Sequence, residues 1–446
     1  MMGKVNERSA RCAGFYEERH LLRTLRGGTK AMRAAGKEYL PAEAKESDES
    51  YKARLKRSVL FNGTKRAIEA NAAKPFVRPV SVSATMAGQE GLVAGYEKNL
   101  DGKGASTTAL ARKALQEVLW DGAAYLIVDA PKAGGRAYCY VVKGTDILGY
   151  SFDEDDRLVY LRILEKSVVV VGYDEAEIQK VREWKMEGAQ VYWRLHQQSE
   201  PGKDDFIIVQ DWTAFAVAEI PLIPIFADNV PSGELFCPPP FIDLAYLNLQ
   251  HWQESSDQSN ILHVARVPIL FGSGIDQDAE IKIGVEHAIL GSQGSDLKFV
   301  EHTGAAIGAG RQSLQDIELR MQIYGYEMLA NRGAAETATG RSLQANENNS
   351  QIAAIAQSLQ DALKKAFWFL GKFNLISDLQ VDVSVCTDYG VTITVEELNA
   401  LSTARQMGDL SHDDYLKELK RRGILRADFD ISANDDRLQQ EVPLVS

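Results

Sequence analysis

Three consecutive prolines, Pro238, Pro239 and Pro240, divide this chain more sharply than any other feature. Proline fixes φ and has no amide hydrogen to donate, so neither a helix nor an interior strand runs through the triplet. The hydrophobic period differs on its two sides. From Ala137 to Phe226, β-branched and aromatic residues gather in the runs Tyr138–Val142, Leu158–Leu164, Gln190–Leu195 and Phe206–Val209. Gly, Asp and Lys clusters bound them, which predicts mainly antiparallel strands of about four to seven residues. Pro221 and Pro224 confine Ile220–Phe226 to an extended or edge conformation. Earlier in the chain, helices are predicted over Tyr51–Asn62, with Leu55, Val59 and Leu60 on one face, and over Thr107–Trp120. Asp121-Gly122 ends the second, and Ala124–Asp129 follows as a short buried strand.

Beyond the triplet the helical period returns. Phe241 opens an amphipathic helix running to about His263, before Pro268. Residues 264–310 alternate short apolar runs (Val267–Phe271, Ala288–Leu290, Leu297–Val300) with glycine, the pattern of a small α/β insertion. Arg311–Ala330 is a second helix, in which Leu314, Ile317, Met321, Tyr324 and Met328 recur at alternating spacings of three and four, a seam for a neighbouring helix. A small and polar stretch, Asn331–Gly340, interrupts it. A long helix then runs from about Arg341 to Gly371, with Ile352, Ile355, Ala356, Leu359, Leu363, Phe367 and Leu370 on its stripe; at 1.5 Å per residue it spans roughly 45 Å. Val381–Val385 and Val391–Val395 read as strands. Glu396–Gly408 and Ser411–Gly423 read as a helical pair before an acidic tail.

With 446 residues the chain is expected to hold more than one compact unit. Cys12, Cys139, Cys237 and Cys386 lie far apart with no C-x-x-C pair and read as reduced thiols. No apolar run approaches the roughly 20 residues of a membrane span. The charged N-terminus lacks the apolar core of a secretion signal. Charge is unevenly spread. Residues 1–80 hold 18 Lys/Arg against 9 Asp/Glu, whereas the remaining 366 hold 32 against 53. A basic first section on an acidic body reads either as an arm that docks on an acidic partner or phosphate, or as a solvated helical segment. The acidic body argues against tight binding of DNA over the main surface.

The search for catalytic chemistry finds no motif. There is no phosphate-cradling G-x-x-x-x-G-K-[ST]. Gly272-Ser273-Gly274 lacks the third glycine and the setting of a dinucleotide fingerprint. The seven histidines include no H-E-x-x-H and no His–Cys cluster at metal spacing, and His251 and His263 read as packing or polar-face residues. Asp153–Asp156 is the one dense acidic cluster and reads as a solvated turn. The expectation is a protein that is not an enzyme and needs no cofactor and no metal.

The segments Ile220–Phe226, Pro239–Leu249 and Ser255–Phe271, with Glu336–Leu343 and the C-terminal Glu396–Asn399, Gly408–Ser411 and Leu419–Leu425, resemble a family of tailed-bacteriophage proteins. That family was long catalogued as a domain of unknown function and is regarded as portal proteins. The likeness covers about residues 50–435 and rests on the order of its parts. It implies an α+β, portal-like, elongated subunit of several parts: a basic helical arm (1–50), a mixed α/β wing (51–240, with the strands of 373–395), and a first stem helix (241–263). A small clip (264–310), a second stem helix (311–330), a tunnel loop (331–340), a long helix (341–372) and a short helical crown (396–446) follow. Asn331, Arg332, Glu336, Thr337, Thr339 and Arg341 are then expected at the DNA channel. Asp276, Asp278, Glu280 and Glu286 are expected on the motor-docking clip, and Leu314, Ile317, Met321, Tyr324 and Met328 in stem packing.

The partners implied are further copies of the chain in a cyclic ring, by resemblance a 12-mer, and double-stranded DNA passing non-specifically. The terminase large subunit, major capsid and scaffolding proteins, and a head-completion or adaptor protein complete the set, with no membrane. The expected location is the virion capsid vertex, after assembly in the host cytoplasm. The alternatives are a motif-poor Mg-dependent phage nuclease centred on Asp153–Asp156, or another phage structural adaptor. A helix-turn-helix reading of residues 394–423 is disfavoured by the acidic start of its second helix.

Overall fold

The structure is a computed structural model and describes residues 4–130, 135–265, 269–273, 296–300, 305–325, 338–376, 379–387, 395–421, 424–425, 429 and 431–440. In chain order the first helices are α1 (Ala10–Glu18), α2 (His20–Arg26), α3 (Gly28–Ala35), α4 (Asp48–Arg57) and α5 (Gly63–Ala73). Strand β1 (Ser81–Ala84), α6 (Glu90–Lys98) and α7 (Thr107–Asp121) lead into strands β2 (Ala123–Asp129) and β3 (Tyr138–Lys143). Then come β4 (Ile147–Phe152), β5 (Leu158–Val171), β6 (Asp174–Glu187), β7 (Gln190–Gln198), β8 (Phe206–Ala214) and β9 (Leu222–Phe226). After the prolines follow α8 (Ile242–Ala265), β10 (Ile269–Ser273), β11 (Asp296–Val300), α9 (Ala305–Tyr324) and α10 (Ala338–Phe373). Strand β12 (Val381–Ser384) and helices α11 (Val395–Met407), α12 (His412–Arg421) and α13 (Ile431–Gln440) complete the described chain. It is a mixed α/β fold with antiparallel sheets.

The chain divides into two compact units, neither continuous in sequence: residues 1–20, 68–240 and 330–446 form the first, and 21–67 with 241–329 the second. In the first, β2 is buried along its length, paired antiparallel with β3 on one side and β9 on the other. The proline-bearing β9 thus holds the edge of its sheet, as its composition predicts, with Pro224 opposite Tyr125. Helix α7 supplies Leu110, Ala114, Leu115, Val118 and Leu119 to the same core, all buried. Ser106 caps its start and Gly122 ends it in the left-handed region at φ 87°. The stripe predicted on α10 is buried at every named position, from Ile352 to Leu370. β12 then pairs antiparallel with β1 across nearly three hundred residues of sequence.

Strands β4 to β8 form an antiparallel meander in sequence order. Here the expected strand length of four to seven residues is corrected. β5 and β6 run 14 residues each, and β6 carries so many charges (Glu175, Glu177, Lys180, Arg182, Glu183, Lys185, Glu187) that its composition hides it. Those charges are partnered. The Arg182 guanidinium donates to Asp129 Oδ2 and Glu165 Oε1, each at 2.7 Å, joining β6 to its neighbour β5 and to β2 of the three-stranded sheet. Glu183 is buried and accepts from Tyr160 Oη at 2.7 Å and Arg194 Nε at 2.5 Å, with His196 Nε2 at 3.3 Å. A helix predicted through Asn62 stops at Arg57, because Ser58 turns extended and its hydroxyl donates back to the Arg54 carbonyl.

The described part of the basic first section, from residue 4 on, is bonded into the fold. Ser9 N donates to Leu148 O at 2.8 Å and the Arg8 guanidinium to Thr145 O at 3.0 Å. Arg19 lies in the core of the first unit with its guanidinium donating to Phe15 O, Asp121 O and Cys237 O at 2.7–3.1 Å, over the ring of Phe15. Leu22, Leu25 and Met32 are core residues of the second unit. The basic side chains Arg8 and Arg19 thus act as internal hydrogen-bond donors to backbone carbonyls.

A Cβ at Gly122 would lie 2.4 Å from Cys237 O and 2.8 Å from Pro238 O, on a backbone that side chains rarely adopt. Gly122→Ala is therefore expected to lower stability by about 3 kcal/mol, read as a reduced urea midpoint. Burial alone would raise the Glu183 carboxyl, but the donors Arg194 and Tyr160 outweigh it and hold the group below the usual carboxylate range. Its stabilising contribution is present above the unfolded-state value of about 4.3 and is lost as pH falls through the depressed folded-state value. Glu183→Gln should therefore lower stability at neutral pH and flatten the acid limb of a pH–stability curve; an unchanged limb refutes the assignment.

Candidate functional site

In the second unit, α8 and α9 form an antiparallel pair, with the two paired strands β10 and β11 between them in sequence. β10 and β11 pair antiparallel from Ile269↔Val300 to Ser273↔Asp296. The helix pair is stitched by polar contacts that climb α8 as they descend α9. His251 Nε2 meets Glu318 Oε1 at 3.2 Å, Glu254 Oε2 accepts from Ser313 Oγ at 2.6 Å, and Gln258 Nε2 donates to Ile307 O at 2.9 Å. Gly310 leaves room for Gln258, whose amide would stand within 3.0 Å of an added Cβ. Such a ladder fixes axial register, because sliding one helix breaks every bond at once.

The base of the pair is anchored by Asn248, fully buried on α8. Its Oδ1 accepts from Thr64 N at 3.0 Å and Thr64 Oγ1 at 3.1 Å, and its Nδ2 donates to Phe61 O at 2.7 Å. Thr64 stands in the first turn of α5, so a side chain from α8 satisfies an otherwise open helix-start amide. Arg54 of α4 is equally buried. It makes a bidentate pair with Glu46 at 2.8–2.9 Å, donates to Pro41 O at 2.7 Å, and reaches Asp257 Oδ1 on α8 at 3.3 Å. Phe61 lies against the His251 ring with centroids 5.1 Å apart.

The stripe residues of α9 divide. Ile317 and Met321 are buried, Leu314 is half-buried, and Tyr324, the last helical residue, is half exposed. Met328 lies outside the described residues, as do Asp276, Asp278, Glu280 and Glu286 of the insertion and Asn331, Arg332, Glu336 and Thr337 of the loop. Thr339, expected in that loop, is instead helical, since α10 begins at Ala338, three residues before Arg341, where the long helix is predicted to start. The polar ladder was missed by sequence reasoning, which took His251 for a packing or polar-face residue. Asn248, His251, Glu254 and Gln258 recur at spacings of three, three and four, one polar stripe among the many polar residues of this helix.

Asp153–Asp156 folds as a self-contained turn between β4 and β5. Asp153 Oδ1 accepts from Asp155 N and Arg157 N at 3.0 and 2.8 Å, Arg157 pairs with Asp153 and Asp155, and Asp156 Oδ1 accepts from Gly233 N at 2.7 Å. The Asp153, Asp155 and Asp156 carboxylates are engaged by backbone amides and Arg157. Among the described residues no group of three or more His, Cys, Asp or Glu is placed to hold a metal ion, and no helix is long and apolar enough to cross a membrane. The four cysteines are free thiols, three of them buried.

Residues 240–374, which hold α8, β10, β11, α9 and α10, match the family described as Domain of unknown function (DUF4055); the match spans less than a third of the chain. No curated protein matches. The chain superposes on a chain from the neck of an empty GTA particle computed with C6 symmetry, at TM-score 0.43 and 14% identity, over 81% of this chain and 89% of that one. A chain from the virion of a native gene transfer agent (GTA) particle gives TM-score 0.43 and 15% identity over 81% and 88%. One from the neck of a native GTA particle computed with C12 symmetry gives 0.42 and 14% over 80% and 88%. Likenesses at this level carry no inference about fold or function.

Asn248→Ala leaves Thr64 N buried without a partner and takes from Phe61 O one of its two donors, the other being Gly63 N, and is expected to destabilise this unit by about 1–3 kcal/mol. Hydrogen exchange should quicken at the first turn of α5 and along α8. Unchanged protection there rules out the anchoring role.

Proposed function

We propose that this chain is the subunit of a bacteriophage portal, a closed homo-oligomeric ring at one capsid vertex through which the genome is packaged and ejected. The observation that carries the reading is the antiparallel pair α8–α9, locked in register by its polar ladder, with the paired strands β10 and β11 between its helices in sequence and the 36-residue α10 after them. A ring whose subunits present a two-helix stem needs that register: neighbouring stems must match in height before a channel closes. The region that matches a named family is this same stretch, 240–374.

Charge supports the same role. DNA must move along a channel without being held, and Lys or Arg on the wall would trap phosphates, whereas acidic walls repel weakly and smoothly. Residues 264–310 carry Arg266, Lys282 and Lys298 against six acids, a balance repeated by every subunit of a ring. On this reading Asp276, Asp278, Glu280 and Glu286 meet the terminase motor and later a head-completion protein. Residues 331–337, with Thr339 and Arg341 at the head of α10, stand at the constriction, and Leu314, Ile317, Met321, Tyr324 and Met328 pack the stem. The chain does no chemistry of its own, ATP hydrolysis belongs to the motor, and no cofactor is required. Capsid and scaffolding proteins are the outer partners, and the ring assembles in the host cytoplasm before joining the virion.

Purified protein should form closed rings, by resemblance 12-mers, in electron micrographs and mass photometry. A monomer that persists up to high concentration overturns the reading.

A further inference from the structure

The five-stranded sheet ends in a feature that its own strands leave uncovered. β5 and β6 pair as far as Val171↔Asp174, but β4 reaches β5 only to Ile163 and β7 reaches β6 only to Lys180. Ile178 is still buried and Gln179 N donates to Gln198 of β7, but beyond them residues 168–171 and 174–177 form a bare two-stranded ribbon, roughly 13 Å long at about 3.3 Å per residue. Such a ribbon is marginal in water without a covering surface. One of its faces carries Val168 and Val170, 65% and 75% exposed, directly opposite Glu177 and Glu175. Tyr173 at the turn is fully exposed. Lys166 pairs with Glu177 at 2.8 Å, but both are half exposed, so the pair contributes little.

The second unit carries a face of matching shape and opposite charge. Between α4 and α5 the backbone is extended. Ser58 and Leu60 point inward, while Val59 and Phe61 are 64% and 49% exposed. Lys52, Lys56 and Arg57 precede them and Lys65 and Arg66 follow, all exposed. Lys65 and Arg66 sit in the opening turn of α5, which has no acidic residue.

We propose that the ribbon tip of one copy docks on residues 56–66 of a neighbouring copy, setting Val168 and Val170 against Val59 and Phe61, and Glu175 and Glu177 against Lys56 and Lys65. Both faces present two apolar side chains at a spacing of two, framed by charges of opposite sign. Two different patches make a head-to-tail contact, the kind that closes a ring. The inference rests on the ring reading above and names the surfaces that would join its subunits.

The test uses the full chain with Cys386→Ser, since the other three cysteines are buried. Phe61→Cys and Val170→Cys chains are mixed under mild oxidation, with Val59→Cys as a substitute should loss of Phe61 disturb folding. The mixture should give a covalent dimer that neither variant gives alone, and one chain carrying both cysteines should give a ladder. Glu175→Lys with Glu177→Lys should cut cross-linking by about five-fold or more, and Lys56→Glu with Lys65→Glu on the receiving chain should restore it. Rings without the cross-link overturn this pairing and leave the ring reading standing. Cross-links between chains that never close a ring support the pairing and overturn the ring. If Lys56→Glu with Lys65→Glu weakens binding to a DNA duplex while cross-linking is unchanged, the basic face is a phosphate site and the pairing is wrong.

Discussion

The buried stripe of α10 is the constraint on which the first unit depends. That unit is assembled from three stretches of chain separated by long excursions. Closing such loops costs entropy, though the cost grows only slowly with length. Leu359, Leu363, Phe367, Phe369 and Leu370 are all withdrawn from water, and each such side chain contributes about 1.5–3 kcal/mol when fully buried. Tyr96 meets the Phe367 ring edge-on at 6.4 Å and its hydroxyl accepts from Asn374 Nδ2 at 2.9 Å. With the helix seated, β12 falls beside β1, and Val82 and Val383 close the core from that side. Remove the stripe and the last stretch of the chain has little reason to join the first.

The second unit solves a related problem with polar atoms. Its helices α8 and α9 have mixed faces, and apolar area alone would allow them to slide. Asn248, the His251–Glu318 contact, the Glu254–Ser313 bond and the Gln258 amide remove that freedom. Each bond is worth only about 0.5–1.5 kcal/mol net, but the cost of leaving its buried members unpaired is larger. Specificity of register therefore comes from what misalignment would orphan. This is the same logic by which Arg19 and Arg54 fix their surroundings, each guanidinium serving backbone carbonyls that would otherwise lack donors.

How legible all this was in the sequence depended on whether a segment's partner was local. The stripe of α10, helix α7 with its Gly122 stop and the edge role of β9 follow from period and from proline or glycine chemistry, which act within a few residues. β6 was illegible because a strand whose alternate residues are charged reads as surface until Arg182 and Glu183 find partners on other strands. The end of α4 was misjudged for a similar reason. Val59 and Leu60 continue the apolar pattern, yet Ser58 bonds back to Arg54 and the chain leaves the helix. At the candidate site, α8 and α9 and the α9 residues Ile317 and Met321 were legible. The polar ladder needed the pairing of two helices to acquire meaning.

Charge is where the two levels of reading meet. Counted along the sequence, the first 80 residues form a basic section on an acidic body. In the fold, Arg8, Arg19, Arg33 and Arg54 spend their charge on carbonyls and carboxylates within the protein. The exposed cations concentrate instead around Val59 and Phe61, and exposed carboxylates concentrate on a ribbon that lacks cover. Net charge is a sum over the chain, but an interface responds only to charges within about a Debye length, roughly 8 Å at physiological salt. What matters for assembly is therefore the pairing of apolar spacing with opposite local charge. A whole-chain balance of -12 neither forbids that pairing nor reveals it.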